Sequence, residues 1–147
     1  STSMIVSQIL KSKADIGVIS VKADASISEA VGILSEKRIG TVVVSEDGAS
    51  LDGLLSERDI VREMGKRGVA CLAEPVSAIM TAKLVTCSPE DTADKVLEMM
   101  TIGRFRHLPV MDNGAMVGLI SIGDVVKARL SELSMEKDAL QGMIMGH

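Results

Sequence analysis

One short phrase is written twice in this chain: GLLSERD at residues 53–59 and GLISIGD at 118–124, 65 residues apart. An internal repeat constrains a fold more tightly than composition does, because each copy must build the same supersecondary unit. Sliding the chain by 66 residues places ISVKADASISEAV (19–31) on VTCSPEDTADKVL (85–97), and RIGTVVVSEDG (38–48) on RFRHLPVMDNG (104–114). One extra residue in the hairpin of the first copy changes the shift to 65, and GLLSERDIV then lands on GLISIGDVV. The lead-ins VSQIL (6–10) and VSAIM (76–80) match as well. The chain is two copies of one unit of about 60 residues.

Each unit reads as β-α-β-β-α. A β-prone stretch, Val18–Val21 or Leu84–Cys87, precedes a helix with apolar residues at Ile27, Ala30, Val31 and Leu34, or at Ala93, Val96, Leu97 and Met100. Those spacings describe one helical face. Ser26 with Glu29 predicts a capping box, whereas Thr92 with Lys95 keeps half of one. Strands over 41–45 and 51–55, and over 107–111 and 116–120, flank turns at Glu46-Asp47-Gly48 and Asp112-Asn113-Gly114, both hairpin signals. Second helices start at Ser56 and Ser121, with Ile60, Val61 and Met64, or Val125, Val126 and Leu130, expected to face inward.

Neither unit can readily bury its sheet and helices alone, so the expectation is an α+β fold with the two repeats packed sheet against sheet about a pseudo-twofold axis. Repeat 1 spans 6–68, a connector rich in small residues spans 69–78, repeat 2 spans 76–132 and a tail spans 133–147. Pro75 is expected to end the connector and start a short helix at the second lead-in. The tail stretch SMEKDALQGMI (134–144) is short and amphipathic, suited to capping the core or meeting a partner helix.

Composition narrows the function. Phe105 is the only aromatic residue, so no platform exists for stacking bases. A net charge of −4 argues against phosphate-backbone binding. Cys71 and Cys87 are too few for a zinc site or a disulfide framework, which fits a reducing compartment. No apolar run reaches membrane-spanning length and no secretory signal opens the sequence, so the expectation is a cytoplasmic protein. No nucleophile–base constellation, metal-ligand spacing, P-loop or GxGxxG stretch is present, so neither catalysis nor a metal requirement is expected.

The duplicated unit, with RFRHLPV, the turn DNG and G-L-I-S-x-x-D before the final helix, resembles a tandem pair of cystathionine-β-synthase (CBS) domains from about Val6 to Glu132. The resemblance implies a standalone, non-enzymatic sensor that binds adenosine nucleotides in clefts between its two sheets. AMP leads, with ADP, ATP or a dinucleotide such as NADH as alternatives. It also implies a homodimer and an unidentified regulated protein.

Residue chemistry is compatible with that reading. Ser56 and Ser121 each offer a hydroxyl beside free amides and the positive end of a helix dipole. Asp59 and Asp124, three residues on, can accept hydrogen bonds from both hydroxyls of a ribose. The same residues equally form ordinary capping boxes that bind nothing. Arg58 can neutralise a phosphate in the first copy, where the second has Gly123, so the sites should differ. The resemblance assigns phosphate contact to Arg106 and His107, which match Gly40 and Thr41, while a solvated hairpin edge remains the alternative for them. Ser20 and Thr86 are candidate cleft hydroxyls. Pro109 fits the family pattern but Val43 replaces it in the first copy. A competing function is an interaction module with vestigial clefts.

Overall fold

The computed structural model describes residues 3–13 and 18–144. Its elements run α1 (Val6–Ser12), β1 (Ser20–Val21), α2 (Ile27–Lys37), β2 (Thr41–Val44), β3 (Gly53–Ser56), α3 (Glu57–Arg67), two short 3₁₀ turns (Val69–Ala73 and Val76–Ala78), α4 (Ala93–Gly103), β4 (His107–Asp112), β5 (Ala115–Ser121) and α5 (Ile122–Ile144). Order and type follow the duplicated pattern except at 84–87, where the second repeat has no strand to match β1. Pro75 stands just before the second 3₁₀ turn, one turn of helix at the second lead-in.

In the first repeat β1 pairs parallel with β2, which pairs antiparallel with β3, giving the order β1-β2-β3. β4 and β5 form a two-stranded sheet, and the counterpart of β1 shrinks to a single parallel bridge between Cys87 and Val110. Asn113 and Gly114 both take positive φ (52° and 79°), the mirror-image turn that matches strand twist. In the first hairpin Asp47 Oδ1 accepts from the Ala49 and Ser50 amides (2.9 and 2.8 Å), which closes the longer turn. Ser26 and Thr92 cap α2 and α4 by accepting the Glu29 and Lys95 amides (3.1 and 3.2 Å).

Two compact units emerge, and they are not the two sequence repeats. One gathers 18–85 with 113–117; the other gathers 3–13, 86–112 and 118–144. The lead-ins have exchanged places. Val6 and Ile9 of α1 are buried with Val96, Met100, Leu108, Ile120 and Val125 of the second repeat. Val76 is buried with Val21, Ile27, Val42 and Leu55 of the first.

The backbone repeats the exchange bond for bond. The Val6 amide donates to Asp91 O (2.8 Å), Ser7 to Pro89 O (2.9 Å) and Ala93 to Met4 O (2.9 Å). In the other unit Val76 donates to Ala25 O (2.7 Å), Ser77 to Ala23 O (2.9 Å) and Ile27 to Glu74 O (2.9 Å). The first lead-in is pinned further by the nearly buried Glu132, whose Oε1 accepts the Met4 amide at 2.7 Å.

This exchange explains the glycine that opens each duplicated phrase. A Cβ on Gly53 would lie 2.8 Å from Thr81 O and 2.9 Å from Met80 Sδ, and one on Gly118 would lie 2.9 Å from the Leu10 methyl carbons. Met80 and Leu10 are equivalent lead-in residues, so the glycines make room for the docked lead-ins.

The helical faces are narrower than the periodicity predicts. Ile60 and Val125 are buried, but Val61, Val126 and Leu130 are exposed. Only one stripe of α3 and of α5 meets its own core. The tail expected after Glu132 continues as the same helix to Ile144.

Candidate functional site

Both Ser-x-x-Asp pairs stand at a strand-to-helix junction. β3 ends at Ser56 and α3 begins at Glu57, so the Ser56 amide leaves the sheet exactly where the helix needs a cap. The Asp59 amide donates to Ser56 Oγ (3.1 Å) and the Ser56 amide to Asp59 Oδ2 (3.0 Å). The second copy repeats this: Asp124 donates to Ser121 Oγ (3.1 Å) and Ser121 to Asp124 Oδ2 (2.9 Å). Both pairs are reciprocal capping boxes.

The amide of the first helical residue is also satisfied. Glu57 donates to Gly40 O and Ile122 to Arg106 O, each at 2.9 Å. With the first and third amides taken, those of Arg58 and Gly123 are the ones positioned for an anion.

Around the first box the structure gathers four of the predicted residues. Thr41 pairs with Ser56 across β2 and β3, Gly40 precedes it, and Asp59 completes the cap. Arg58 is exposed at the second helical position. Ser20 pairs with Val43, two residues along β2 from Thr41, so it lines the same sheet but not the same end. A Cβ at Gly40 would meet Glu57 Oε1 at 3.6 Å, an ordinary contact, so no close approach enforces glycine there. Both Asp59 oxygens are engaged, since Oδ1 also pairs with Arg62 at 2.7 Å.

A lysine from beyond the end of α1 joins the second box. Lys13, just past the end of α1, places Nζ 2.9 Å from Asp124 Oδ2 and 3.0 Å from Leu119 O. Burial pushes the Asp124 carboxyl up, but the Ser121 amide and Lys13 outweigh it and hold it below the usual range. Half-buried His107 follows Arg106 at the start of β4. Burial and then Lys13 push its imidazole below the ordinary range, with Arg106 adding to the effect and Asp124 opposing it. Thr86 is exposed, one residue before the Cys87 bridge.

Sequence reasoning missed Lys13. It lies in the lead-in of the first repeat, and only the exchange brings it to the box of the second. The matching spacing of Lys13 after VSQIL and Lys83 after VSAIM was the available signal.

This geometry sets an expectation for His107. A histidine whose folded pKa is depressed contributes stability that is fully present above its unfolded value, near 6.5, and lost as pH falls from there through the lower folded value. Lys13→Met should raise the His107 midpoint measured by NMR, because it removes the stronger of the two opposing cations; a fall or no change would refute the assignment.

The CBS domain pattern matches this chain twice, over residues 6–66 and 76–131. The chain belongs to the CBS-domain family. The CBS pair is 34% identical to the CBS domain-containing protein CBSX3, mitochondrial, of Arabidopsis thaliana, over 96% of this chain and 72% of that one. A CBS-domain protein of Agrobacterium tumefaciens is 43% identical, with a TM-score of 0.81 over 88% of this chain and 96% of the other. The crystal structure of CBSX2 in complex with AMP shares the fold, with 24% identity and a TM-score of 0.72 over 86% of this chain and 96% of that one.

Other chemistries find few residues here. Among the described residues no three His, Cys, Asp or Glu side chains gather as metal ligands do, and no helix is long and apolar enough to cross a membrane. Cys71 and Cys87 are buried and unpaired. Burial, with Asp91 nearby, pushes the Cys87 thiol up to about 12, so it packs as an apolar group rather than acting as a thiolate.

Proposed function

We propose that this CBS pair is a regulatory module that binds an adenosine nucleotide, AMP foremost, and has no catalytic activity of its own. The observation that carries the reading is the second box. Ser121 and Asp124 close a reciprocal cap at the start of α5, Lys13 Nζ lies 2.9 Å from Asp124 Oδ2, and His107 stands close enough to Lys13, Asp124 and Arg106 to feel the charge of each. A ribose on Asp124 and a phosphate beside the Lys13 and Arg106 cations use complementary chemistry. The AMP complex of CBSX2 supports the choice of ligand class.

The two boxes are predicted to be unequal. Arg58 gives the first a charge at the second helical position, but Asp59 must release Arg62 to use both oxygens. Exposed pairs of that kind cost little to break. The same engagement of Asp59 favours a second reading for the first box alone, a vestigial cleft that serves only as a cap.

Calorimetric titration with AMP, ADP, ATP and NADH tests the proposal. Asp124→Ala should weaken AMP binding about tenfold, the loss of one charge-assisted contact, and Asp59→Ala should weaken it less. Absence of binding by every adenylate, or binding indifferent to both changes, would leave the interaction-module reading in its place.

The output passes to a regulated protein or through self-association. Homodimerisation is proposed through α3 and α5, whose Val61, Val126 and Leu130 are exposed. Buried, unpaired cysteines fit a reducing compartment such as the cytoplasm.

A further inference from the structure

The last buried residue of α5 is Glu132, yet the helix continues to Ile144. A segment that short, with no core to lie on, is marginal in water. Its exposed side chains show what would cover it. Val126, Leu130, Leu133, Lys137, Leu140 and Ile144 follow one another at alternating spacings of four and three, the a and d positions of a heptad. The five apolar members are between 42% and 83% exposed. They occupy a different face from Val125, Ala128 and Glu132, which are buried.

We infer that this seam is covered by the same seam of a second copy, running antiparallel. The sequence is complementary to itself in that direction. Val126 meets the partner's Ile144, Leu130 meets the partner's Leu140, and Leu133 meets the partner's Lys137, each contact recurring by the twofold. No seam position is left over. Charge selects the direction: a parallel pair in register would set Lys137 against the partner's Lys137 inside an apolar seam. The antiparallel pair lays the Lys137 stem over the partner's Leu133 and lets its ammonium reach the edge of the seam.

This inference rests on the homodimer reading above and specifies its α5 contact. The test uses the full chain with Leu130→Cys and Leu140→Cys made separately; both positions are exposed, while the native cysteines are buried. In the antiparallel pair position 130 faces 140 of the other copy, but the two 130 positions lie about 15 Å apart, beyond disulfide reach. Oxidising the mixture should give at least tenfold more covalent dimer than either variant alone. Same-residue cross-linking that equals or exceeds the mixed product overturns the inference.

Sedimentation separates the two levels of failure. Leu140→Glu lies past the last buried residue, so at a concentration where both proteins are monomeric its melting temperature should match that of the wild type, while its dimer should be about 100-fold weaker. A monomeric wild type would remove the homodimer reading and this contact together. A wild-type dimer with an unchanged constant in Leu140→Glu and no mixed cross-link would keep the homodimer and remove only the helix pairing.

Discussion

Val6→Asp is expected to loosen the second repeat and leave the first intact, although Val6 belongs to the first in sequence. Val6 is fully buried in an apolar cluster with Val96, Met100, Leu108 and Ile120. Burying an unpaired charge costs about 4 kcal/mol or more, or forces the lead-in out of its berth. The melting temperature should fall by roughly 10–15 °C for a chain of this size. Hydrogen exchange gives the sharper readout: amides in 86–112 and 118–144 should lose protection, while those in 18–68 keep it. Val76→Asp should reverse the pattern, because Val76 is buried with Ile27, Val42 and Leu55. If Val6→Asp exposed 18–68 instead, the exchange of lead-ins would be wrong.

The second large effect concerns the glycines. Gly53→Ala should cost about 2–3 kcal/mol, and Gly118→Ala about 1 kcal/mol. The difference comes from what each new methyl meets. At Gly53 it meets the Thr81 carbonyl, which is fixed because it accepts the Leu54 amide at 3.0 Å while the Thr81 amide donates back to Leu54 O at 2.8 Å. Backbone held by two hydrogen bonds cannot step aside without breaking the bridge. At Gly118 the obstacle is the Leu10 isobutyl group, which can rotate. Chemical denaturation of the two variants measures the order, and a larger loss at Gly118 would contradict it.

What the sequence revealed was local. The caps at Ser56 and Ser121, the turn at Asn113-Gly114 and the buried stripe of Ile27, Ala30 and Leu34 each depend on residues within one or two turns of chain, and periodicity exposes them. The duplicated phrase gave the family for the same reason. The destination of the lead-ins was hidden, because VSQIL and VSAIM are so alike that either could fill either core. Lys13 was hidden with them. The outward turn of Val126 and Leu130 was missed because an apolar stripe records that a face is covered, not by what. For the site, the sequence named the two boxes and the basic positions 106 and 107, but the inequality of their aspartates depends on Arg62 and Lys13, and those contacts exist only once the chain is folded.

The exchanged lead-ins make the covalent link between the repeats dispensable to their association. Suppose a protease cut the connector once, between Gly68 and Val69. The amino-terminal piece would keep α1 lodged in the other piece's core, held by Val6 and Ile9, while the carboxy-terminal piece would keep Val76 lodged in return. Neither fragment could leave without stripping a buried side chain from both. The nicked chain should therefore travel as one particle under native conditions and fall into two only in denaturant. The connector supplies proximity during folding, and the mutual insertion supplies the lock afterwards.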